Sequence, residues 1–581
     1  MRAVRCILPS PRRGGRLASA ASPFLLAALL ASCSKEPVRP RSAILVTLDT
    51  MRADVLGCYG GAGNLTPCLD ELARSSVRYH RARSVASMTL PSHASILTGL
   101  YPLRHGVRDN GVAPLSASAR TLAELARERG LQTAAFVASS VLDRAFALDQ
   151  GFDVYGEPER GTPALDATAM ARQARWWLGR RDRSRPFLLW LHLYDPHVPY
   201  APPASYLERA SDAYRGEVAY VDATLGELIS ELEADGTLAS TLLVVVGDHG
   251  ESLGQHGEPT HGALCYDSTL RVPFLVRHPD GWRAGESSQE TVSVVDVFPT
   301  LVEALELGEP GDIDGLSLYR RMVPPERGVY FESYSGWLNY GWSPLAGWAD
   351  QRLKYLHSSS PELYDPAADP QEKHDLLGRL PGEPERYRAA IAALAARPAL
   401  PLEDSRLQAD VLGALRQLGY AASGAVIPDL PGPLEETHLP SPRERAVELA
   451  PLTLASHLAE QGRWEDAIPL LEEILAENPR NRMALDFLGY DLLQVGRHAE
   501  AREVLERRLA LEPERSDTHV NLGLALELLG DDAAALESMD RALAIDAACQ
   551  PALEAAARIA ARAEETERAE GYRERLQALA R

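Results

Sequence analysis

The stretch that decides the fold is residues 242–262, which read LLVVVGDHGESLGQHGEPTHG. Its first five residues form a continuous apolar run, which is typical of a buried strand in a parallel sheet. Asp248 and His249 follow, between Gly247 and Gly250. Adjacent strand residues point to opposite faces, so these two side chains converge on one ion only where the strand becomes a loop, as the glycines indicate. We therefore expect a metal site at the end of this strand.

Similar apolar runs alternate with helical patterns between residues 41 and about 422. The predicted strands are 43–48, 187–193, 242–246 and 273–276, and the predicted helices are 119–128, 167–178 and 214–233. This alternation is typical of an α/β sheet with helices on both faces. In such sheets, functional residues gather outside the carboxyl ends of the strands.

Polar residues stand at three of the predicted strand ends. They are Asp49, His192, His197, Asp248 and His249. A carboxylate at the end of a buried strand is costly without a partner. Three such ends with Asp or His favour a metal site over an isolated helix cap.

The C-terminal third of the chain repeats with a fixed period. Gly462, Gly496 and Gly530 are equally spaced, and three other registers agree with their spacing. The pattern resembles tetratricopeptide repeats, an all-α solenoid of paired helices, over residues 446–581, with 551–579 as one polar capping helix. Such arrays bind protein segments on their concave face. The alternative is an appendage that only stabilises or dimerises the protein.

A proline-rich stretch, residues 426–445, separates the two regions and is interpreted as a linker. Because such a linker carries few packing groups, we expect the large domain, residues 41–425, to fold and act without the repeats.

The overall charge excludes one class of partner. The 581 residues include 60 Lys and Arg against 81 Asp and Glu, a net charge of −21, which argues against nucleic-acid binding. The hydrophobic content of 45% with 24% charged residues also excludes wholesale disorder.

The N-terminus has the pattern of an export signal. A group of arginines precedes the uncharged stretch 17–32, which is too short for a comfortable membrane span; the group is Arg2, Arg5, Arg12, Arg13 and Arg16. Leu30-Ala31-Ser32-Cys33 resembles the bacterial lipobox, in which Cys33 becomes the lipidated first residue. We expect residues 1–32 to be a lipoprotein signal peptide and the protein to be exported and anchored by lipid to a bacterial membrane, in the periplasm or at the cell surface. The alternative is an ordinary signal peptide with a chance cysteine.

Six motifs of the large domain occur in the order found in the sulfatase family of the alkaline phosphatase superfamily. They are TLDTMRAD at 47–54, LGCYG at 56–60, TPCLD at 66–70, DPHVPY at 195–200, DHGE at 248–251, and ELYD with DPQE within 362–372. Residues 41 to about 380 therefore resemble a sulfatase. The resemblance implies a sulfatase-like sheet and a hydrolase of sulfuric, phosphoric or phosphonic esters.

The nucleophile motif departs from that family. Sulfatases carry Cys/Ser-x-Pro-Ser-Arg, whose first residue becomes formylglycine, whereas this chain has Thr89-Leu90-Pro91-Ser92-His93. Threonine cannot become formylglycine, so no formylglycine is expected. An ester formed on Thr89 must be broken by direct attack at the esterified centre, which suits phosphorus better than sulfur. A single Asp49 followed by Arg-Ala-Asp is more like the phosphonate monoester hydrolases.

The resemblance implies a ligand set for one divalent cation: Asp49, Thr89, Asp248 and His249. An imidazole ligand favours Zn²⁺ or Mn²⁺, while Ca²⁺ and Mg²⁺ also fit such families. The candidate catalytic residues are Thr89, His93, His197 and His261, with His256 as an alternative to His261 and His192 as a weaker candidate. Pro91 in the first helical turn is expected to leave free backbone N–H groups beside Thr89.

Two alternatives to a hydrolase stay open. One is a transferase of the phosphoethanolamine type, and the other is an inactive relative that binds an anionic glycan or lipid head group while its repeats recruit a protein partner. The loop 336–347, with Trp337, Tyr340 and Trp342, is expected to be a platform for a sugar or another ring of the anionic ester substrate. Lys354 is interpreted as structural.

Overall fold

The computed structural model describes residues 39–402, 411 and 430–579. The predicted signal peptide, residues 1–32, and residues 426–429 of the predicted linker lie outside these ranges. Among the described helices, none combines the length and hydrophobicity of a membrane-spanning segment.

A mixed eight-stranded sheet forms the centre of the large domain. Its strands are β1 (Ser42–Leu48), β2 (Val77–Arg83), β3 (Gln132–Phe136), β4 (Val154–Gly156), β5 (Phe187–Leu193), β6 (Thr241–Gly247), β7 (Phe274–Arg277) and β8 (Ser287–Ser293). They lie in the order β4-β3-β5-β1-β6-β7-β2-β8. Only β7 runs antiparallel to its neighbours among these pairings. The carboxyl ends of β5, β1 and β6 are therefore side by side.

Helices cover both faces of this sheet, as the apolar runs predict. The longer helices are α1 (Pro67–Arg74), α2 (Thr89–Thr98), α3 (Leu122–Glu128), α4 (Ala167–Arg180), α5 (Ala213–Ala234), α6 (Val297–Ala304) and α7 (Pro384–Ala395). Leu45 of β1 packs in a core shared with α2, α3 and α6, whereas Val46 packs in a second core shared with α1, α4 and α5. The predicted α/β class is confirmed.

A smaller antiparallel sheet follows, with β9 (Val329–Ser333), β10 (Leu345–Ala349), β11 (Lys354–His357) and β12 (Glu362–Tyr364) in the order β12-β11-β10-β9. A single π-helical turn, Gly336–Tyr340, lies between β9 and β10. This turn belongs to the aromatic loop identified in the sequence.

Four helix pairs form the C-terminal solenoid. They are α8 (Leu449–Glu460) with α9 (Trp464–Glu477), α10 (Arg482–Gln494) with α11 (His498–Leu511), α12 (Ser516–Leu528) with α13 (Asp532–Ile545), and α14 (Gln550–Arg562) with α15 (Thr566–Leu579). The three repeat glycines end the first helix of each of the first three pairs with φ of 72°, 80° and 83°. The prediction of one capping helix is wrong, because Glu564 occupies the next position of the glycine register, adopts φ 61° and separates two helices.

The repeats dock on the large domain through a buried glutamate. Oε2 of Glu448 accepts hydrogen bonds from the Trp342 indole (3.2 Å) and from the side-chain amides of Asn478 and Asn481 (2.9 Å each). The Asn478 amide also donates to the Tyr340 carbonyl at 2.8 Å. Trp342 and Glu448 are buried, so this network lies in the interior between the two parts.

Backbone and apolar contacts extend the same junction. A Cβ on Gly341, where φ is 70°, would lie 2.6 Å from the Arg480 carbonyl oxygen, so only glycine allows this approach. Ala446 and Leu449 share a buried core with Trp342.

Within the predicted linker, the Pro440 carbonyl accepts the Ser343 N–H at 2.9 Å, and Ser441 is buried. The expectation that the linker carries few packing groups is therefore wrong for this end of it, and the repeats pack on the large domain.

Replacing Glu448 with alanine should destabilise the protein. The substitution leaves the Trp342 indole and the Asn481 amide buried without their acceptor, at about 1–3 kcal/mol for each group. We expect chemical denaturation to show a free energy of unfolding lower by about 2 kcal/mol or more. The matched control is Glu444→Ala, an exposed glutamate one turn earlier. Equal unfolding curves for the two variants would contradict the assigned docking role.

Candidate active site

Two carboxylates meet at the carboxyl ends of adjacent strands. Asp49 follows β1, Asp248 follows β6, and both are fully buried. Backbone N–H groups of Thr50 and His249 donate to Oδ1 of Asp248 at 3.2 and 2.6 Å. Among the described residues, neither oxygen of Asp49 nor Oδ2 of Asp248 has a hydrogen-bond partner of acceptable geometry. Buried carboxylate oxygens that face one another without donors fit a bound cation.

The pKa values of Asp49 and Asp248 also indicate a bound cation. Burial, and then the neighbouring Asp49 charge, raise the pKa of Asp248 well above its usual range. Burial opposes ionisation of Asp49 as well, but the contact with His192 and the nearby imidazoles lower its pKa. One carboxylate is thus ionised at the expense of the other. A cation between them removes this conflict, and the residues present fit a divalent metal.

His249 completes a set of three ligand atoms that lie within 4.8 Å of one another, with Asp49 and Asp248. Its Nδ1 faces the Gly250 carbonyl at 3.0 Å, which requires a proton on Nδ1. Its Nε2 then carries the lone pair, 3.6 Å from Oδ1 of Asp49 and 3.7 Å from Oδ2 of Asp248. Burial and the adjacent His261 lower the pKa of His249 to about 3. A neutral imidazole is the form that binds a metal.

Thr89 lies beside this cluster, at the start of α2. Its hydroxyl oxygen is 3.3 Å from Nε2 of His249 and is almost fully buried. The Leu90 N–H donates to Oδ1 of Asn110 at 2.9 Å, and the Ser92 N–H donates to the Met88 carbonyl at 3.3 Å. The expectation of free backbone donors is therefore wrong for these two amides.

His93 contacts the backbone of Thr89. Its Nδ1 is 2.8 Å from the Thr89 carbonyl and its Nε2 is 2.9 Å from the Thr47 hydroxyl, which also accepts the Trp190 indole N–H. Both ring nitrogens are thus engaged within the protein, and burial lowers the pKa of His93 to about 3. His93 therefore connects the start of α2 to β1 through hydrogen bonds within the protein.

His192 supports Asp49 from the neighbouring strand. Its Nδ1 accepts the Ala138 N–H at 3.2 Å, so the proton lies on Nε2, 3.4 Å from Oδ2 of Asp49. His93, His192 and Asp248 also form a compact group of possible ligands. Because both ring nitrogens of His93 and Nδ1 of His192 are already engaged, we take Asp49, Asp248 and His249 as the better metal set.

Two further predicted histidines lie next to His249. The ring of His261 is 4.7 Å from that of His249 and 5.0 Å from that of His197, between centroids. Glu251 lies 3.2 Å from Nδ1 of His261. Although burial acts against it, the Glu251 charge and hydrogen bond raise the pKa of His261. His261 is therefore the imidazole of this group best suited to carry a proton.

His256 lies elsewhere. It stacks on Tyr266 at 3.6 Å between ring centroids, and its Nε2 faces the Gln371 carbonyl at 2.9 Å. The suggestion that it could replace His261 is wrong. Lys354 is buried between Asp267 (3.0 Å) and Glu372 (2.7 Å), which agrees with its structural interpretation.

Sequence reasoning missed two residues that shape the site. Glu251 stands inside the quoted segment, and its separation from His261 along the chain gives no indication of their contact. Asn110 binds the start of α2 and lines the cavity beside the site. No pattern around Asn110 distinguishes it from an ordinary turn residue.

A cavity of about 690 Å³ opens beside His197 and His261. Trp337 and Tyr340 line it, and their role as a platform stays a prediction. Trp342 does not serve as a platform, because it is fully buried and bound to Glu448.

Comparison with known families agrees with this geometry. Residues 41–307 match the sulfatase family model, and residues 256–386 match the model for the C-terminal part of N-sulphoglucosamine sulphohydrolase. Residues 452–490 and 487–549 match a tetratricopeptide repeat model. The chain carries an N-terminal sulfatase domain followed by tetratricopeptide repeats. The sulfatase domain and its relatives support an ester hydrolase.

Individual relatives of the sulfatase domain are distant. The uncharacterized sulfatase YidJ of Escherichia coli is 24% identical over 428 residues, which cover 58% of this chain and 83% of that protein. The ulvan-active sulfatase of Formosa agariphila is 26% identical over 406 residues, 59% and 78% of the two chains. The crystal structure of the phosphonate monoester hydrolase of Agrobacterium radiobacter superposes with a TM-score of 0.54 at 23% identity, over 62% of this chain and 96% of that one. At this identity the superposition shows the shared fold.

Asp248→Asn should weaken metal binding. The amide removes a charge from the ligand set, and we expect a loss at least as large as the roughly 10- to 100-fold that follows loss of an outer-shell partner. Metal content after dialysis, measured by mass spectrometry, checks this. His256→Gln, in the same loop but away from the cluster, is the control. Equal metal content in both variants would remove Asp248 from the ligand set.

Proposed function

We propose that this protein is an exported, divalent-metal-dependent hydrolase that uses Thr89 as its nucleophile and prefers phosphoric or phosphonic esters to sulfuric esters. The observation that carries the proposal is the position of the Thr89 hydroxyl, 3.3 Å from Nε2 of His249 and beside two carboxylates with unsatisfied oxygens. An inactive scaffold would have no need of this arrangement. The convergence of Asp49, Thr89, Asp248 and His249 therefore favours an enzyme.

The proposed ligands are Asp49, Asp248, His249 and the Thr89 oxygen. A divalent cation held there supplies positive charge that stabilises the ionised Thr89 oxygen and the negative charge developing on the ester. The mixture of carboxylate and imidazole favours Zn²⁺ or Mn²⁺.

The ionised Thr89 oxygen, whose proton has passed to water, attacks the phosphorus, and the bond from phosphorus to the substrate alcohol breaks. His261, whose proton is held by the Glu251 charge, donates that proton to the leaving alkoxide. The neutral imidazole then takes a proton from water, which attacks the phosphorus and frees Thr89. His197, whose ring lies next to that of His261, contacts the transferred group, and His93 keeps the Thr89 backbone in place.

The nucleophile sets the ester preference. A formylglycine hydrate can expel its ester through a second hydroxyl, whereas threonine has one hydroxyl. The intermediate on Thr89 has to be opened by attack at its central atom. That step is easier at phosphorus than at sulfur, which supports phosphate or phosphonate esters as substrates.

Thr89→Ala should abolish turnover, and Thr89→Ser should retain part of it, because serine keeps the oxygen and loses only the methyl group that restricts its rotamer. Initial rates on matched aryl phosphate, phosphonate and sulfate esters check both the role of Thr89 and the ester preference. We expect the phosphorus esters to be the faster substrates, with or without a formylglycine-generating enzyme in the host. Wild-type rates for Thr89→Ala, or sulfate turnover faster by orders of magnitude, would overturn the proposal.

Location and partners also belong to this proposal. The basic, apolar and lipobox-like pattern of residues 1–33 supports export and a lipid anchor on Cys33. Tetratricopeptide repeats are consistent with a protein partner.

Cys33→Ser should release the protein from membranes, since serine cannot carry the thioether-linked lipid. Fractionation of cells that express either form gives the answer, with Cys549→Ser as a cysteine control far from the N-terminus. The lipobox interpretation fails if Cys33→Ser stays in the membrane fraction.

A further inference from the structure

The cavity beside the active site is larger than an ester group needs. At about 690 Å³ it lies in the range of sites that enclose a whole small molecule. One end is formed by His197, His261 and Asn110 of the sulfatase domain. The opposite wall comes from the repeats, which contribute nearly half of the lining residues. The space for the alcohol part of the substrate is therefore bounded by the solenoid.

The first helices of the first two pairs provide most of this wall. The first helices of successive pairs, α8, α10, α12 and α14, contact one another and form one layer. Leu452 of α8 and Met483 and Phe487 of α10 line the cavity together with Trp337 and Tyr340, and Tyr340 packs against the same apolar cluster. Phe487 is only half-buried, so its ring offers an apolar surface inside the cavity.

The charges of the cavity argue against a polyanion. The two arginines that line it are already engaged, since Arg482 donates to the Trp337 carbonyl at 2.5 Å and Arg515 pairs with Asp517 at 2.9 Å. Glu460 and Glu512 line the same space. A sulfated or phosphorylated glycan with several anionic groups would find no excess of positive charge in this cavity to pair with those groups.

We propose that the first two repeats are part of the substrate site and select monoesters of bulky, apolar, ring-containing alcohols, with Phe487 as a specificity-determining residue. This inference rests on the proposed function, because it takes the ester centre to lie between Thr89 and His261. The alcohol then extends from His261 along Trp337 and Tyr340 to the apolar stripe of Leu452, Met483 and Phe487.

The test compares two esters with leaving groups of similar acidity and different size, phenyl phosphate and biphenyl-4-yl phosphate, with the two corresponding sulfates in parallel. We expect the full-length protein to prefer the biphenyl ester. Phe487→Ala should lower kcat/KM for the biphenyl ester about tenfold or more, mainly through KM, and change the phenyl ester little. Ser456→Trp, which fills the cavity from α8, should also discriminate against the biphenyl ester.

The matched control is Tyr490→Ala, which removes an exposed aromatic ring one turn along the same helix, outside the cavity. The control should keep the wild-type ratio of kcat/KM for the two esters. An unchanged ratio in both Phe487→Ala and Ser456→Trp, or an equal loss on both esters, overturns the inference. Activity in Thr89→Ala, or a preference for the sulfates, would show separately that the nucleophile proposal fails. The ratio of kcat/KM for the biphenyl and phenyl esters would still report on the role of the repeats.

Discussion

The buried pair Asp49 and Asp248 is the constraint on which the rest of the site depends. Their ligand oxygens lie within 4.8 Å of each other in the protein interior, where two like charges repel by a few kcal/mol. The fold answers this cost with donors and neutral groups: backbone N–H groups on Asp248, the Nε2 proton of His192 near Asp49, and a neutral His249. What these groups leave unsatisfied points to one place, and a cation is the simplest occupant that satisfies it.

The sequence predicts this constraint because both carboxylates directly follow predicted strands. The apolar runs that become β1, β5 and β6 are unmistakable, and parallel neighbours bring Asp49, His192 and Asp248 to one edge. The roles of the histidines could not be predicted in the same way. His93 and His192 differ from His249 only in which backbone and hydroxyl groups meet their ring nitrogens, and those contacts join residues far apart in the chain. Residue type alone therefore predicts which residues form the cluster, but it does not predict the role of each histidine.

The contact between the sulfatase domain and the repeats could not be predicted from the sequence for a related reason. The repeat period reports how each helix pair packs on the next, because that contact recurs from pair to pair. The contact of Glu448 with Trp342, which lies far earlier in the chain, occurs once and leaves no periodic signal. Proline-rich composition around residue 440 indicated a linker, but composition carries no information about which carbonyls are bound, such as Pro440 to the Ser343 N–H.

In the proposed site, the reacting groups and the wall that contacts the alcohol lie on different parts of the chain. The groups proposed to bind metal and transfer protons sit on rigid strand ends of the sulfatase domain, where a small displacement would leave charges buried without partners. The part of the wall proposed to contact the alcohol is the uncharged stripe of Leu452, Met483 and Phe487, beside charged lining residues such as Glu460 and Arg482. Changes in that wall alter size and shape without disturbing the carboxylate pair. In the proposed site, a solenoid docked beside a fixed chemical centre would allow substrate choice to vary at low electrostatic cost.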